Sequence, residues 1–177
     1  MKKTFILAIL FLALSACDKQ DRENTYINQE DRIDAYLNTV DKGYRIVSNK
    51  GSYRIVVSEG SVKDSLEVGD SLYFFYSGYT FTSTQGSLFA TNEGAVVREN
   101  FINTPDTTVK KILYTKGALI TGLFNGLNNV HDGERCNIVF SAKYGYGNTE
   151  MFNVPKLTAL FFKIKVEKIV KNNNNQE

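Results

Sequence analysis

Residues 118–147 read ALITGLFNGLNNVHDGERCNIVFSAKYGYG, and several backbone signals follow one another along them. Leu119 and Ile120 lead into a helical stretch, Ile120 to Asn128, whose apolar face carries Ile120, Leu123, Phe124 and Leu127. Gly122 and Gly126 weaken such a helix intrinsically, so packing must hold it. His131-Asp132-Gly133-Glu134 then reads as a turn, Arg135 to Phe140 as a strand, and Tyr144-Gly145-Tyr146-Gly147 as a loop. A short helix is therefore set directly before a strand.

Strand periodicity surrounds this unit. Tyr44 to Val47 and Tyr53 to Val57 are strand-like and separated by the turn signal Asn49-Lys50-Gly51. A second turn, Val68-Gly69-Asp70, launches Ser71 to Ser77, where Leu72, Phe74 and Tyr76 alternate with Tyr73, Phe75 and Ser77. Apolar side chains on both sets predict a strand covered on both faces for part of its length. In the last strand Leu160, Phe162, Ile164, Val166 and Ile169 face inward, while Lys163, Lys165 and Glu167 face water. Tyr79 to Lys111 is rich in Thr, Ser, Asn and Gly and reads as a long excursion with short strand pieces near a functional rim. Many strands and one good helix predict an α+β domain, an antiparallel sheet wrapped over a helix.

The order of signals in residues 118–147 resembles the second half of an FKBP-type peptidyl-prolyl isomerase domain. There, V-I-x-G-W-x-x-G-L is followed by G-E, a strand and Y-A-Y-G. The resemblance runs from about Gly51 to Val170 and implies a half-barrel sheet around one short helix, with a proline-binding pocket between them. Taken singly, Tyr76 matches the tyrosine of the family's H-Y-T-G strand, and Phe89 the phenylalanine of F-D-[ST]. Leu119 and Ile120 match the V-I pair, whose second N–H donates to a substrate carbonyl. Tyr146 matches the second tyrosine of Y-A-Y-G, while Tyr144 is read as structural. Val154 matches the aliphatic residue of the I-P-P loop, and Phe162 the aromatic of the last strand. Tyr76, Ile120 and Tyr146 are thus the expected catalytic residues, and Phe89, Leu119, Leu123, Val154 and Phe162 the expected binding residues.

Two pocket positions depart from the family. Ala90 stands where its aspartate would be, and Leu123 where the tryptophan flooring the proline pocket would be. Ile112-Leu113-Tyr114 lacks the F-x-L-G pattern, and the flap between Phe89 and Leu119 is longer than usual, with Asp106 able to approach the site. The expected function is weak peptidyl-prolyl isomerisation on envelope or surface proteins, without cofactor or metal. The alternatives are a catalytically inactive FKBP-fold module that binds a proline-containing or hydrophobic segment, and an assembly subunit whose cavity is filled by flap side chains.

The chain's start is read as targeting. Lys2 and Lys3 precede an apolar core from Phe5 to Leu14 and a small-residue exit at Ser15-Ala16, too short a stretch to span a bilayer. Leu14-Ser15-Ala16-Cys17 resembles a bacterial lipobox. That implies cleavage after residue 16, a diacylglyceryl thioether on Cys17 and usually an N-acyl chain such as palmitate; an ordinary signal peptide is the alternative. Several acyl chains make a stable anchor, placed at the periplasmic face of an outer membrane or at the cell surface more readily than at an inner membrane. Asp18 to Asn28 reads as a solvated tether and Asp31 to Asn38 as a short amphipathic helix. The expected division is 1–16 signal peptide, 17–43 lipidated Cys17, tether and helix, 44–170 FKBP-like domain, and 171–177 disordered tail.

Without residues 1–16 the chain carries 19 basic and 19 acidic residues. With no basic stripe it offers nucleic acid nothing, and the expectation is a monomer whose partners are proline-containing polypeptides and the membrane. Lipidation of Cys17 leaves Cys136 without a disulfide partner, so it reads as a packed strand residue. His131 has no neighbour at ligand spacing, which argues against a metal site.

Overall fold

Period-two sequence from Arg45 onward becomes sheet. The computed structural model describes residues 2–99 and 106–172, with the side chains of residues 2–18 and of Asp64 left aside. In chain order the elements are α1 (Lys2–Leu37), β1 (Arg45–Asn49), β2 (Ser52–Ser58), β3 (Ser61–Ser65), β4 (Ser71–Phe81), β5 (Gln85–Thr91) and α2 (Gly94–Glu99). There follow β6 (Lys110–Leu113), α3 (Thr121–Leu127), β7 (His131–Asp132), β8 (Arg135–Phe140) and β9 (Ala159–Val170). The main sheet is antiparallel, in the order β1-β2-β8-β9-β4-β5, with β6 sharing the free edge of β4; β3 and β7 make a small second sheet. This is the α+β half-barrel expected from the sequence.

Its first turn follows from local geometry. Lys50 and Gly51 both have positive φ, 46° and 81°, as a two-residue hairpin with the right-handed strand twist requires. Alternation then sorts the side chains. Leu72, Phe74, Cys136, Ile138, Phe140, Leu160, Phe162, Ile164 and Val166 fill the concave side with Leu123 and Leu127 of α3. α3 lies unusually close to the sheet, because a Cβ on Gly122 would sit 2.3 Å from the Phe140 ring and one on Gly126 2.4 Å from Ile138. The glycines that lower the helix's intrinsic propensity are what let it pack.

Side chains of the first hairpin complete the helix. Ser52 Oγ donates to Gly122 O at 2.8 Å and Asn49 Nδ2 to Asn125 O at 2.9 Å. Buried Arg54 donates to the carbonyls of Gly126, Asn128 and Asn129 at 3.0, 2.9 and 3.2 Å. These are the acceptors that a helix end leaves without partners. The Arg54 charge is met by Glu134, fully buried, with Nε and Oε1 3.1 Å apart though not aligned as a hydrogen bond.

Two expectations, the tether and the tail, need correction, and two others, the strand pieces after Tyr79 and the double coverage of β4, are filled in by the structure. The tether and short helix are one continuous helix through residues 2–37, and the polar run from Asp18 supports it with the side-chain pair Gln20–Asn24, four residues apart. Its end docks on the convex side: Ile33 is fully buried, and Tyr36 stacks edge-on to Phe81 and Phe161. Gln29 bridges the Ala142 N–H and the Leu157 carbonyl. Second, much of the excursion after Tyr79 is ordered hairpin, because β4 continues to Phe81 and pairs with β5. Third, the double coverage of β4 has two causes. Tyr79 and Phe81 lie under α1, while Tyr73 and Phe75 are roofed by Lys111 and Lys165 at 5.3 Å from their ring centroids. Fourth, the tail is tied down at its start, where Lys171 Nζ meets Asp70 Oδ2 at 2.8 Å and the Asn172 N–H meets Asp70 Oδ1 at 3.0 Å. The side chains of residues 2–18, that of Cys17 among them, residues 100–105 of the flap and residues 173–177 lie outside the described residues.

Candidate active site

The concave face and α3 leave between them an open cavity of about 400 Å³. β4 brings Phe74 and Tyr76 to it, β5 Phe89 and Ala90, and β9 Phe162, while the segment entering α3 brings Leu119, Ile120 and Leu123. Tyr146 follows the 3-10 turn at Ala142–Tyr144. Gly78 makes the wall possible: a Cβ there would lie 2.7 Å from Phe89 and 2.8 Å from Phe162. With that space free, Phe89 packs edge-on against Phe162 at 5.7 Å and against Tyr146 at 6.3 Å. The described flap residues leave the cavity open.

Little on this wall is committed elsewhere. The hydroxyls of Tyr76 and Tyr146 and the N–H of Ile120 have no hydrogen-bond partner among the described residues. Burial raises the pKa of both phenols above the ordinary tyrosine value, helped at Tyr76 by the Asp106 charge and at Tyr146 by Tyr76. Both therefore stay protonated donors at any physiological pH. A dry aromatic pocket with a few unspent donors suits rotation about an amide. Such rotation has a barrier of about 18–20 kcal/mol and breaks no bond. A pocket lowers the barrier by binding the twisted amide better than either planar form.

The structure thus brings Tyr76, Phe89, Leu119, Ile120, Leu123, Tyr146 and Phe162 to one cavity. It does not bring Val154 there. That residue is fully buried in the main core, because the Met151–Val154 turn folds it inward and turns Phe152 outward. Phe152, at φ 51°, borders the cavity with its ring 6.1 Å from that of Tyr146. Phe74, Lys110 and Ala118 also line the cavity without having been picked out by sequence. Phe74 could have been inferred from its alternation with Tyr76. The reversal at Phe152 could not, since positive φ at an aromatic is a tertiary outcome.

Asn92 was also missed. It accepts the Tyr76 N–H at 2.7 Å and donates to Thr108 O at 2.8 Å, filling the gap on β4 between β5 and β6 and holding the flap against the strand that carries Tyr76. Among the described residues, no group of three or more His, Cys, Asp and Glu side chains could hold a metal ion.

The family model of the FKBP-type peptidyl-prolyl cis-trans isomerase matches residues 62–167. The chain belongs to that family. Solved structures agree on the FKBP fold. The chain is similar to the three FKBP domains of wheat FKBP73, with a TM-score of 0.57 and 19% identity over 73% of this chain and 50% of that one. It thus spans half the length of that three-domain chain. The N-terminal domain of FKBP42 from Arabidopsis thaliana gives a TM-score of 0.58 at 17% identity, covering 75% and 96% of the two chains. FkpA from Escherichia coli gives 0.58 at 16% identity, covering 93% of this chain and 70% of that one. No curated protein matches by sequence. Within this FKBP domain the two departures, Ala90 and Leu123, both stand on the cavity wall.

Proposed function

We propose that this protein is a weak peptidyl-prolyl cis-trans isomerase of the cell envelope, working as a monomer on proline-containing polypeptides. The observation that carries this reading is the open aromatic cavity bordered by two phenols and an Ile120 N–H that have no hydrogen-bond partner among the described residues. A proline ring enters between Phe89, Phe162 and Leu123, the Ile120 N–H takes the carbonyl before it, and the Tyr76 and Tyr146 hydroxyls steady the backbone around it. Transition-state stabilisation then comes from exclusion of water and fixed donors, without acid, base or nucleophile. Ala90 supplies no carboxylate to this field, and Leu123 gives a shallower, non-aromatic floor; both make the catalysis weak.

The same two residues favour a second reading, a binding module that holds a proline-containing or hydrophobic segment without turning it over. Exchange between cis and trans prolyl isomers of short peptides, followed by NMR with a soluble chain starting at Asp18, separates the two. Acceleration that falls in Tyr146→Phe and Ile120→Gly supports the isomerase. No acceleration at high protein concentration, with binding retained, leaves the binding module.

Attachment to the membrane belongs to the proposal as well: Cys17 carries the lipid. Among the described residues no helix is long and apolar enough to cross a membrane. Mass spectrometry of the native N-terminal peptide should find a diacylglyceryl Cys17, and an unmodified or absent Cys17 would refute the anchor.

A further inference from the structure

A cation stands at the edge of a pocket whose other described residues are uncharged. Of the described residues lining the main cavity, Lys110 alone carries a charge. Its direction follows from register. In the β4–β6 pairing Lys110 lies opposite Phe74, so it shares the concave face, whereas Lys111 lies opposite Tyr73 and its ammonium rests over that ring on the other face. Lys110 is exposed and makes no ion pair among the described residues, so its donors are unspent.

Beside the main cavity lies a smaller recess of about 150 Å³, bordered by Thr91, Asn92, Asp106 and Thr108. Tyr76 and Lys110 line both spaces and form the sill between them. The polar groups of the recess are largely used. Asn92 bonds to β4 and to Thr108 O, Thr91 Oγ1 donates to Tyr76 O at 3.0 Å, and Asp106 Oδ1 accepts both the N–H and the hydroxyl of Thr108. The Asp106 carboxylate is thus bonded to Thr108, and it feels the Lys110 charge without forming an ion pair with it.

We propose that Lys110 is a specificity-determining residue that selects polypeptides with an acidic side chain flanking the proline. The inference rests on the proline-binding reading of the main cavity. With a proline ring in that cavity, the chain leaves over the sill, and a neighbouring Asp or Glu carboxylate comes within reach of the Lys110 ammonium. A neutral side chain gains nothing there, and a basic one is repelled.

The test uses the full chain in non-ionic micelles and capped peptides in which a single residue, just before or just after the proline, is Glu, Gln or Lys. NMR titration measures affinity whether or not the peptide is turned over. At low ionic strength the Glu peptide should bind about two- to five-fold more tightly than the Gln peptide at one of the two positions, as expected of a partly exposed ion pair. Lys110→Met should bring that ratio close to one, Lys110→Glu should invert it, and Asp106→Asn should raise it. Equal affinity for Glu and Gln peptides at both positions, or a Glu preference that survives Lys110→Met, overturns the inference while leaving proline binding intact. Failure of every peptide to bind overturns the proline-binding reading and this inference with it.

Discussion

Replacing Arg54 by Met tests how the pocket is held in place. Arg54 is 2% exposed and Glu134 0% exposed, so neither charge has water to fall back on. Arg54→Met keeps most of the apolar stem and removes the guanidinium. Glu134 is then left as a buried carboxylate without a counter-ion, touched by the His131 N–H at 3.2 Å and the Cys136 thiol, and three carbonyls at and just past the end of α3 lose the Arg54 donor. Breaking a buried ion pair from one side costs about 3–5 kcal/mol, a large part of the roughly 5–15 kcal/mol that a domain has. At roughly 2–4 °C per kcal/mol for a chain of this size, Tm should fall by at least about 6 °C. Urea denaturation gives the free energy directly, provided the m-value is unchanged. In Arg54→Met/Glu134→Leu the orphan charge is gone, so part of the loss should return, though the helix carbonyls stay unpaired. Ile120 and Leu123 ride on this helix segment, and peptide affinity should weaken in the single variant. A loss under about 1 kcal/mol, or a double variant no better than the single, would refute the argument that this pair holds the helix.

Further consequences follow from the same geometry. Leu123→Trp should deepen the apolar floor and raise prolyl exchange several-fold; since the natural chain has no tryptophan, its emission also reports peptide binding, and an unchanged rate and spectrum would count against Leu123 as the floor. Gly122→Ala forces a Cβ to within 2.3 Å of the Phe140 ring, so helix and sheet must part, and thermal stability should drop by about 1–3 kcal/mol; a neutral result would mean that the approach is not tight. Tyr114, fully buried and donating to Phe124 O, has its pKa pushed up to about 12 by burial, slightly offset by Arg54. A phenol raised on folding contributes stability that is whole below pH 10 and is lost as pH rises toward about 12. Tyr114→Phe should show a smaller fall in stability across that window. At Asp70 burial opposes the charge, but bonds from Lys171 and from the N–H groups of Asn172 and Glu67 prevail and lower the pKa. Its contribution is therefore present above the ordinary aspartate pKa of 3.8 and lost as pH falls through the lower folded value; the deficit of Asp70→Asn should be full at neutral pH and vanish in acid.

Reading residues in order was enough for the sheet and for most of the pocket. β9 announces itself by alternation from Phe162 to Glu167, and Leu123, Phe124 and Leu127 by helical spacing, because burial on one face is a local pattern. Tyr76, Phe89, Leu119, Ile120, Leu123, Tyr146 and Phe162 were reached through local motifs that set each on a known strand, loop or helix end. What stayed hidden depends on partners far away in sequence. Arg54, one residue of a strand pattern, and Glu134, one of a turn, pair only once β2 and β8 meet under α3, and Asn92, inside the long excursion, is placed only by closing the gap between β5 and β6. Val154 leaves its expected place at the pocket and Phe152 takes a place there, because a two-residue reversal decides which side chain faces the core. The stretch from Asp18 to Asn28 reads as a tether, and the amphipathic turn behind it has no visible partner until Ile33, Tyr36 and Gln29 meet the convex sheet face and its neighbouring loops. Lys110 becomes a pocket residue only through its register with Phe74. Periodicity and motif are properties of neighbours along the chain, so sequence determines them alone; register, buried pairing and the facing of a turn are set by contacts between distant segments, and tertiary structure alone decides those.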